Sequence, residues 1–134
     1  MFKDKSKGLV NEFVIDSDYN QCNGYGDLSR NFTRVLNELI PIKIHSPLHY
    51  HGYLDELGYG KQIIKGKPTI ISSLSIQPTF SMMRPPIGQK NAIFTMFESS
   101  KLRPEWIQRI NSFDLCLTPS TYNKAHFSDQ LSIP

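Results

Sequence analysis

An α/β fold built on a doubly wound, mainly parallel sheet is what this sequence predicts, and three observations carry the prediction. Short apolar, β-rich runs alternate along the chain with amphipathic helical stretches, the pattern of parallel sheets connected by helical crossovers. A glycine-bearing turn, Asn23-Gly24-Tyr25-Gly26-Asp27, falls between the first such run and the first helical stretch. The tract from Phe94 to Ser120 reads as strand, loop, helix, strand and turn in succession. It sets Glu98 just past a strand's carboxyl end, the edge at which open α/β sheets bind ligands.

The elements follow in order. Glu12-Phe13-Val14-Ile15 is a short first strand running into Asp16, and Ser17 to Asp27 is a polar turn region. Leu28, Phe32, Val35, Leu36 and Leu39 then recur at i, i+4, i+7, i+8 and i+11, one apolar stripe of helical period. Asp27 is placed to cap that helix, because its carboxylate can accept from the free amides of the first turn. Pro41 stops the helix and Ile42-Lys43-Ile44 is a second strand, which completes a βαβ unit of right-handed crossover. Residues 46–67 form a long irregular stretch, either functional or hiding a short helix. Thr69 to Ile76 is β-rich and ends at Gln77-Pro78; Asn91 to Phe97 is a mostly apolar strand. Pro104 suits the first turn of a helix whose buried face is Trp106, Ile107, Ile110 and Phe113. Leu115 to Thr118 is the next strand, Pro119 ends it, and Ser120 can cap a last helix from Thr121 to Phe127. Leu131-Ser132-Ile133-Pro134 reads as the approach to a further strand.

Bulk composition narrows the classes. A chain of 134 residues, 39% hydrophobic and 20% charged, is one globular domain rather than a disordered segment. Fifteen Lys and Arg against twelve Asp and Glu leave a net charge of +3, too small and unclustered for a nucleic-acid footprint. The two cysteines, Cys22 and Cys116, form neither a disulfide framework nor a metal pattern. No apolar run approaches the ~20 residues of a membrane span, and the first residues lack a secretory signal's apolar core. The expected location is therefore the reducing cytoplasm. Asn31-Phe32-Thr33 matches a glycosylation sequon but falls inside a predicted helix, so it is read as chance.

Three groups of residues could carry chemistry. A loop feeding a helix N-terminus offers free amides and the positive end of the helix dipole, which suits a phosphate or diphosphate. Gly24 and Gly26 fit that use, or simply a tight turn. They are not the full dinucleotide fingerprint, because Ser29 stands where its third small residue belongs, and no Gly-Lys-Ser/Thr of a P-loop follows. Glu98 could accept a proton or hold a sugar hydroxyl, or else cap its loop or pair with Lys101 or Arg103. Asp16 and Asp18, expected just after the first strand, are either general bases or part of a solvated turn. His45, His49 and His51 lie close in sequence, but no Cys, Asp or Glu joins them at ligand spacing, so no metal site is assigned. Hydroxyl or phosphate recognition by one of them, or plain loop packing, is the expectation. No Gly-x-Ser-x-Gly elbow points to a serine hydrolase.

The tract Asn23-Gly24-Tyr25-Gly26-Asp27-Leu28-Ser29-Arg30-Asn31, followed by an amphipathic helix, resembles the start of GT-B glycosyltransferases of the family 4-like, glycogen-synthase-related group. The Phe94 to Ser120 tract is similar to the same group. Its T-M-F-E-S, L-R-P-E-W-I, N-S-F-D and T-P-S segments stand where that group has a strand-Glu-x-x-x-Leu-Pro-x-x-Trp run and an Asp-x-x-x-x-Pro-Ser turn. The two motifs occur in the same order and register.

The resemblance implies the Rossmann-like, acceptor-side half of an enzyme that moves a sugar from a nucleotide-sugar donor to a sugar, glycan or lipid-linked acceptor. Gly24, Tyr25 and Gly26 would face the donor diphosphate, their amides stabilising charge as it leaves. Glu98 would be the catalytic carboxylate, with Asp16, Gln77 and Ser120 on the acceptor side of the cleft. The group is usually metal-independent and mostly retaining, so no metal and no cofactor are expected. Its second, donor-binding domain has no counterpart in these residues, and the last strand of the first domain would follow Pro134. The expectation is one incomplete domain, residues 1–134, inactive alone because its cleft has a single wall. The alternatives are a non-catalytic binding module of the same fold and a small stand-alone α/β enzyme acting on a phosphorylated metabolite.

Overall fold

The structure is a computed structural model that describes residues 8–19, 24–46, 54, 56–79, 83–97 and 99–134. In chain order these form β1 (Leu9–Val10), β2 (Phe13–Ser17), α1 (Gly24–Leu39), β3 (Ile42–His45) and a 3-10 turn at Gly60–Gln62. There follow β4 (Thr69–Ile70), β5 (Ser72–Ile76), β6 (Lys90–Phe94), α2 (Pro104–Ile110), β7 (Leu115–Leu117) and α3 (Thr121–Gln130). Five strands make one sheet in the order β3-β2-β5-β6-β7, parallel throughout, and β1 and β4 pair in a small parallel ladder of their own. The fold is thus the doubly wound α/β class that the alternation of strands and helices predicts.

The lateral order reverses direction at one place. After β2 the chain crosses to β3 on one side, then returns to lay β5, β6 and β7 on the other. The gap between the carboxyl ends of β2 and β5 is therefore the topological switch point, where crossovers diverge and leave a crevice.

The two sheet faces differ in chemistry. In-register neighbours share a face, and the row Ile44, Ile15, Leu74, Ala92 is apolar. This row packs with Tyr25, Leu28, Phe32 and Leu36 of α1 in one core. On the opposite face Ile93 packs with Met83, Leu102, Ile110, Phe113 and Phe127, the core under α2 and α3. Farther across that face, at Asp16, Ser73, Ser75 and Asn91, the buried side chains are polar.

Local rules account for the later elements. Pro104 begins α2 with its fixed φ, where a missing N–H costs nothing. Ser120 caps α3, its Oγ accepting from the Asn123 amide at 3.1 Å. The early elements depart from sequence expectation in three ways. β2 runs on through Asp16 and Ser17, so Asp16 is a strand residue and not part of a solvated turn. The β-rich run Thr69 to Ile76 splits at Ile71 into β4, which leaves toward β1, and β5, which enters the main sheet. Helix α1 already starts at Gly24, so Asp27 lies within its first turn and pairs with Arg30 instead of capping.

The face of α1 also differs. Its fully buried residues are Gly26, Ser29 and Thr33, while Val35 and Leu39 of the apolar stripe are 46% and 73% exposed. The reason is polar: Ser29 hydrogen-bonds Ser17 at the end of β2, and Thr33 shares a 2.7 Å bond with the buried Tyr19 hydroxyl. Small side chains on this face let the helix approach the sheet closely, which rotates the larger apolar residues to its flank.

At the other side of the sheet β7 is an edge, with Leu115 and Leu117 39% and 37% exposed. The Cys116 amide donates to the Pro134 carbonyl at 2.8 Å, so the Leu131 to Pro134 segment lies along that edge, as its sequence anticipates.

Two outcomes follow from these placements. Burial pushes the Cys116 thiol from 9.0 up to about 11. In a Cys22→Ser background the thiolate fraction near neutral pH falls about 100-fold below that of a free cysteine. Iodoacetamide labelling followed by mass spectrometry should accordingly be slow near neutrality and accelerate as the pH approaches that value. The second outcome concerns glycines. A Cβ on Gly24 meets nothing within 4 Å, whereas one on Gly88 comes within 3.2 Å of the Ile70 carbonyl oxygen. Gly24→Ala is expected to hold or raise stability by up to ~0.5 kcal/mol. Gly88→Ala is expected to cost ~1 kcal/mol in urea denaturation.

Candidate functional site

Strand register builds the site. Asp16 is paired with His45 of β3 on one side and with Ser75 of β5 on the other, so the three side chains form a lateral row on the face opposite α1. Asp16 is fully buried. A carboxylate so placed can only accept, so the His45 Nδ1 at 2.8 Å carries the proton and donates to Oδ1. Ser75 Oγ donates to Oδ2 at 3.3 Å. The imidazole is thereby held with Nδ1 inward, in a ring that keeps about a third of its surface exposed.

A fourth group comes from the segment after β5. The buried side chain of Gln77 clamps Arg84 by both backbone groups, its Oε1 accepting from the Arg84 amide at 2.7 Å and its Nε2 donating to the Arg84 carbonyl at 3.0 Å. The same Nε2 donates to Ser75 Oγ at 2.9 Å. This clamp brings the Arg84 guanidinium over Asp16, with Nε 3.6 Å from Oδ2, an ion pair too long for a hydrogen bond. Gln77, expected to line the acceptor side, thus holds a neighbouring segment in place from within the protein.

The start of α1 reaches the same carboxyl edge on the other face. Gly24, Tyr25 and Gly26 form its first turn, and neither Gly24 nor Gly26 adopts a left-handed backbone. The Tyr25 hydroxyl spans to the segment after β6, donating to the Met96 carbonyl at 3.4 Å and accepting from its amide at 3.2 Å. The glycine turn and the tract leading to Glu98 therefore meet on one edge. Glu98 itself, with His49 and His51, lies outside the described residues. Ser120 stands at the carboxyl end of β7 on the same edge, but its hydroxyl is engaged at the α3 cap, accepting from Asn123 Nδ2 at 3.0 Å as well as from its amide. Deep beneath α1, burial pushes the Tyr19 phenol above its ordinary range, partly offset by its bond to Thr33, so it is a neutral structural group.

What this arrangement can do is limited and definite. His45, oriented by a buried carboxylate, can exchange a proton at its outer nitrogen, and Arg84 sets a positive charge at the other oxygen of the same carboxylate. Among the described residues no group of three His, Cys, Asp or Glu side chains is arranged to hold a metal, and no helix is long and apolar enough to cross a membrane. A hollow of about 690 Å3 lies between β7 and α3, three strands away from β2. It is lined mainly by apolar groups such as Leu117, Phe127, Leu131 and Ile133 and offers none of this chemistry.

Sequence reasoning named Asp16, Gln77 and His45 separately but not their connection, and it missed Ser75 and Arg84. One signal was present: Asp16 and His45 each end an apolar strand run, and parallel strands bring such ends together. Compared with protein-family profiles, curated proteins and solved structures, the chain has no match.

The central role of Asp16 is measurable. Asp16→Ala leaves the Arg84 charge without its buried partner and should cost ~3 kcal/mol in chemical denaturation, the scale of breaking a buried ion pair from one side. His45→Ala, which removes a partner about one-third exposed and keeps the Asp16–Arg84 pair, should cost less than half as much.

Proposed function

We propose that this chain forms the acceptor-side wall of a sugar-transferring cleft, working with a nucleotide-sugar donor. The observation that carries the reading is the Tyr25–Met96 hydrogen-bond pair, which joins the first turn of α1 to the segment preceding Glu98 at one sheet edge. A transfer site needs both parts within reach of one bound donor: amides at a helix start to meet a diphosphate, and a carboxylate to orient a hydroxyl. Tyr25 ties the two together through a side chain of limited flexibility.

In this reading the amides of Gly24 to Gly26 face the donor diphosphate and the helix dipole favours its negative charge. Glu98 orients the reacting hydroxyl. Asp16 acts through His45 and not directly, because its carboxylate is enclosed. Ser120 contributes by fixing the start of α3. The nucleotide and most of the donor sugar would be held by a second wall supplied by a further domain or a partner chain.

The reading is tested with isotopically labelled protein and a panel of nucleotide-diphosphate sugars at millimolar concentration. The expected outcome is saturable amide shifts at Gly24 to Gly26 and at Thr95 to Phe97, weakened in Tyr25→Phe, where the link to Met96 is lost. If no nucleotide sugar moves either group of amides, the donor-facing assignment fails.

A further inference from the structure

We infer that His45 and Arg84 flank a small oxyanion site at the carboxyl edge of the switch point, and that its ligand is a phosphoryl group on a small molecule. Three observations lead there. First, Arg84 Nε and Nη2 are buried and hydrogen-bond to no protein atom among the described residues. Buried charged donors without a hydrogen bond carry a desolvation penalty that native structures relieve with an acceptor. Second, Gln77 fixes the Arg84 backbone at both its amide and its carbonyl, so the side chain starts from a set position on the Asp16 face. Third, the nearest carboxylate is already committed. Asp16 receives His45 on Oδ1 and Ser75 on Oδ2, and it stands 3.6 Å from Arg84 Nε, close enough to balance the charge but not to occupy its donors.

The donor geometry selects the ligand. A guanidinium presents its N–H groups as a planar fork that matches two oxygens of one oxyanion. His45 flanks the same carboxylate on its other oxygen, and its outer nitrogen is available for a third oxygen. That nitrogen accepts from a protonated phosphate or donates to an ionised one, according to its own protonation. A carboxylate has two oxygens and satisfies the fork alone; a phosphoryl group has enough to engage both residues. The row His45, Asp16, Ser75 lies on the sheet face opposite α1, so this site is distinct from the amides at the α1 start. It does not depend on the sugar-transfer reading, since phosphate can bind here whether or not a donor is ever engaged.

The test is a titration of the whole chain with inorganic phosphate at constant ionic strength, following the Arg84 Nε–H and His45 ring resonances by NMR. Acetate serves as the carboxylate arm. The expected result is saturable movement of both signals with phosphate, tighter than with acetate. Arg84→Met should weaken phosphate about tenfold or more, with Arg84→Lys failing to restore it because the fork is absent. His45→Gln should weaken it severalfold, and Lys61→Met, an exposed control, should not. If Arg84→Met does not fold, the wild-type titration and His45→Gln decide the matter. Phosphate leaving both resonances unmoved, acetate binding as tightly as phosphate, or a folded Arg84→Met chain that keeps wild-type affinity would each overturn the assignment.

Discussion

Burying the carboxylate of Asp16 in the middle of a parallel sheet imposes a demand that much of this structure answers. A charge with no solvent access must be paired and hydrogen-bonded from within. Its partners come from three separate segments: His45 from β3, Ser75 from β5 and Arg84 from the stretch after β5. Two of them are its in-register neighbours. A slip of one residue in either pairing would present Ile44 or Leu74 to the carboxylate and turn His45 or Ser75 to the other face. The same interaction therefore specifies the register of β3, β2 and β5 and assembles the site at their carboxyl ends. Mutual support of this kind, fold specifying site and site specifying fold, is a property of strands rather than loops, and it gives His45 a fixed orientation.

The two sheet faces divide the work. The α1 face supplies conventional apolar burial through Ile15, Ile44, Leu74 and Phe94. Yet its helix is aligned by hydroxyls, Ser17 with Ser29 and Tyr19 with Thr33, so the small buried residues of α1 determine how close it lies. Among the described residues the apolar cluster of the opposite face lies under α2 and α3. Across β2 and β5 the buried Asp16, Ser73 and Ser75 are polar beside Val14, and the segment ending in Arg84 is attached there by Gln77 as well as by Met83, which packs into the core under α2 and α3. Polar attachment is directional, which suits a region that must hold donors at particular positions.

How much was legible varied with how local the determinant is. Pro104 at the start of α2 and Ser120 at the cap of α3 are decided within one helical turn, and both read directly from the residues. The alternation of strands and helices and the β6 core likewise needed no tertiary information. The start of α1 was less legible, because glycines read as loop formers when they are helical with ordinary backbone angles, leaving Asp27 inside the helix. Val35 and Leu39 belong by period to the apolar stripe of α1, yet the Ser29 and Thr33 contacts turn them outward. Asp16 was expected beyond the strand because a carboxylate seldom sits within one; only its partners on both sides make that position tolerable.

The order of amino acids alone determined the class of fold, the helix boundaries that rest on Pro and Ser, and the presence of polar groups at strand ends. Those features depend on periodicity, capping and dihedral preference, all set by residues within a few positions of one another. Only the tertiary structure decided which polar groups meet. Register places His45 and Ser75 beside Asp16, and Gln77 delivers Arg84 from farther along the chain. Pairing between strands is a long-range choice driven by the buried charge, and no local pattern in any one segment encodes its partner.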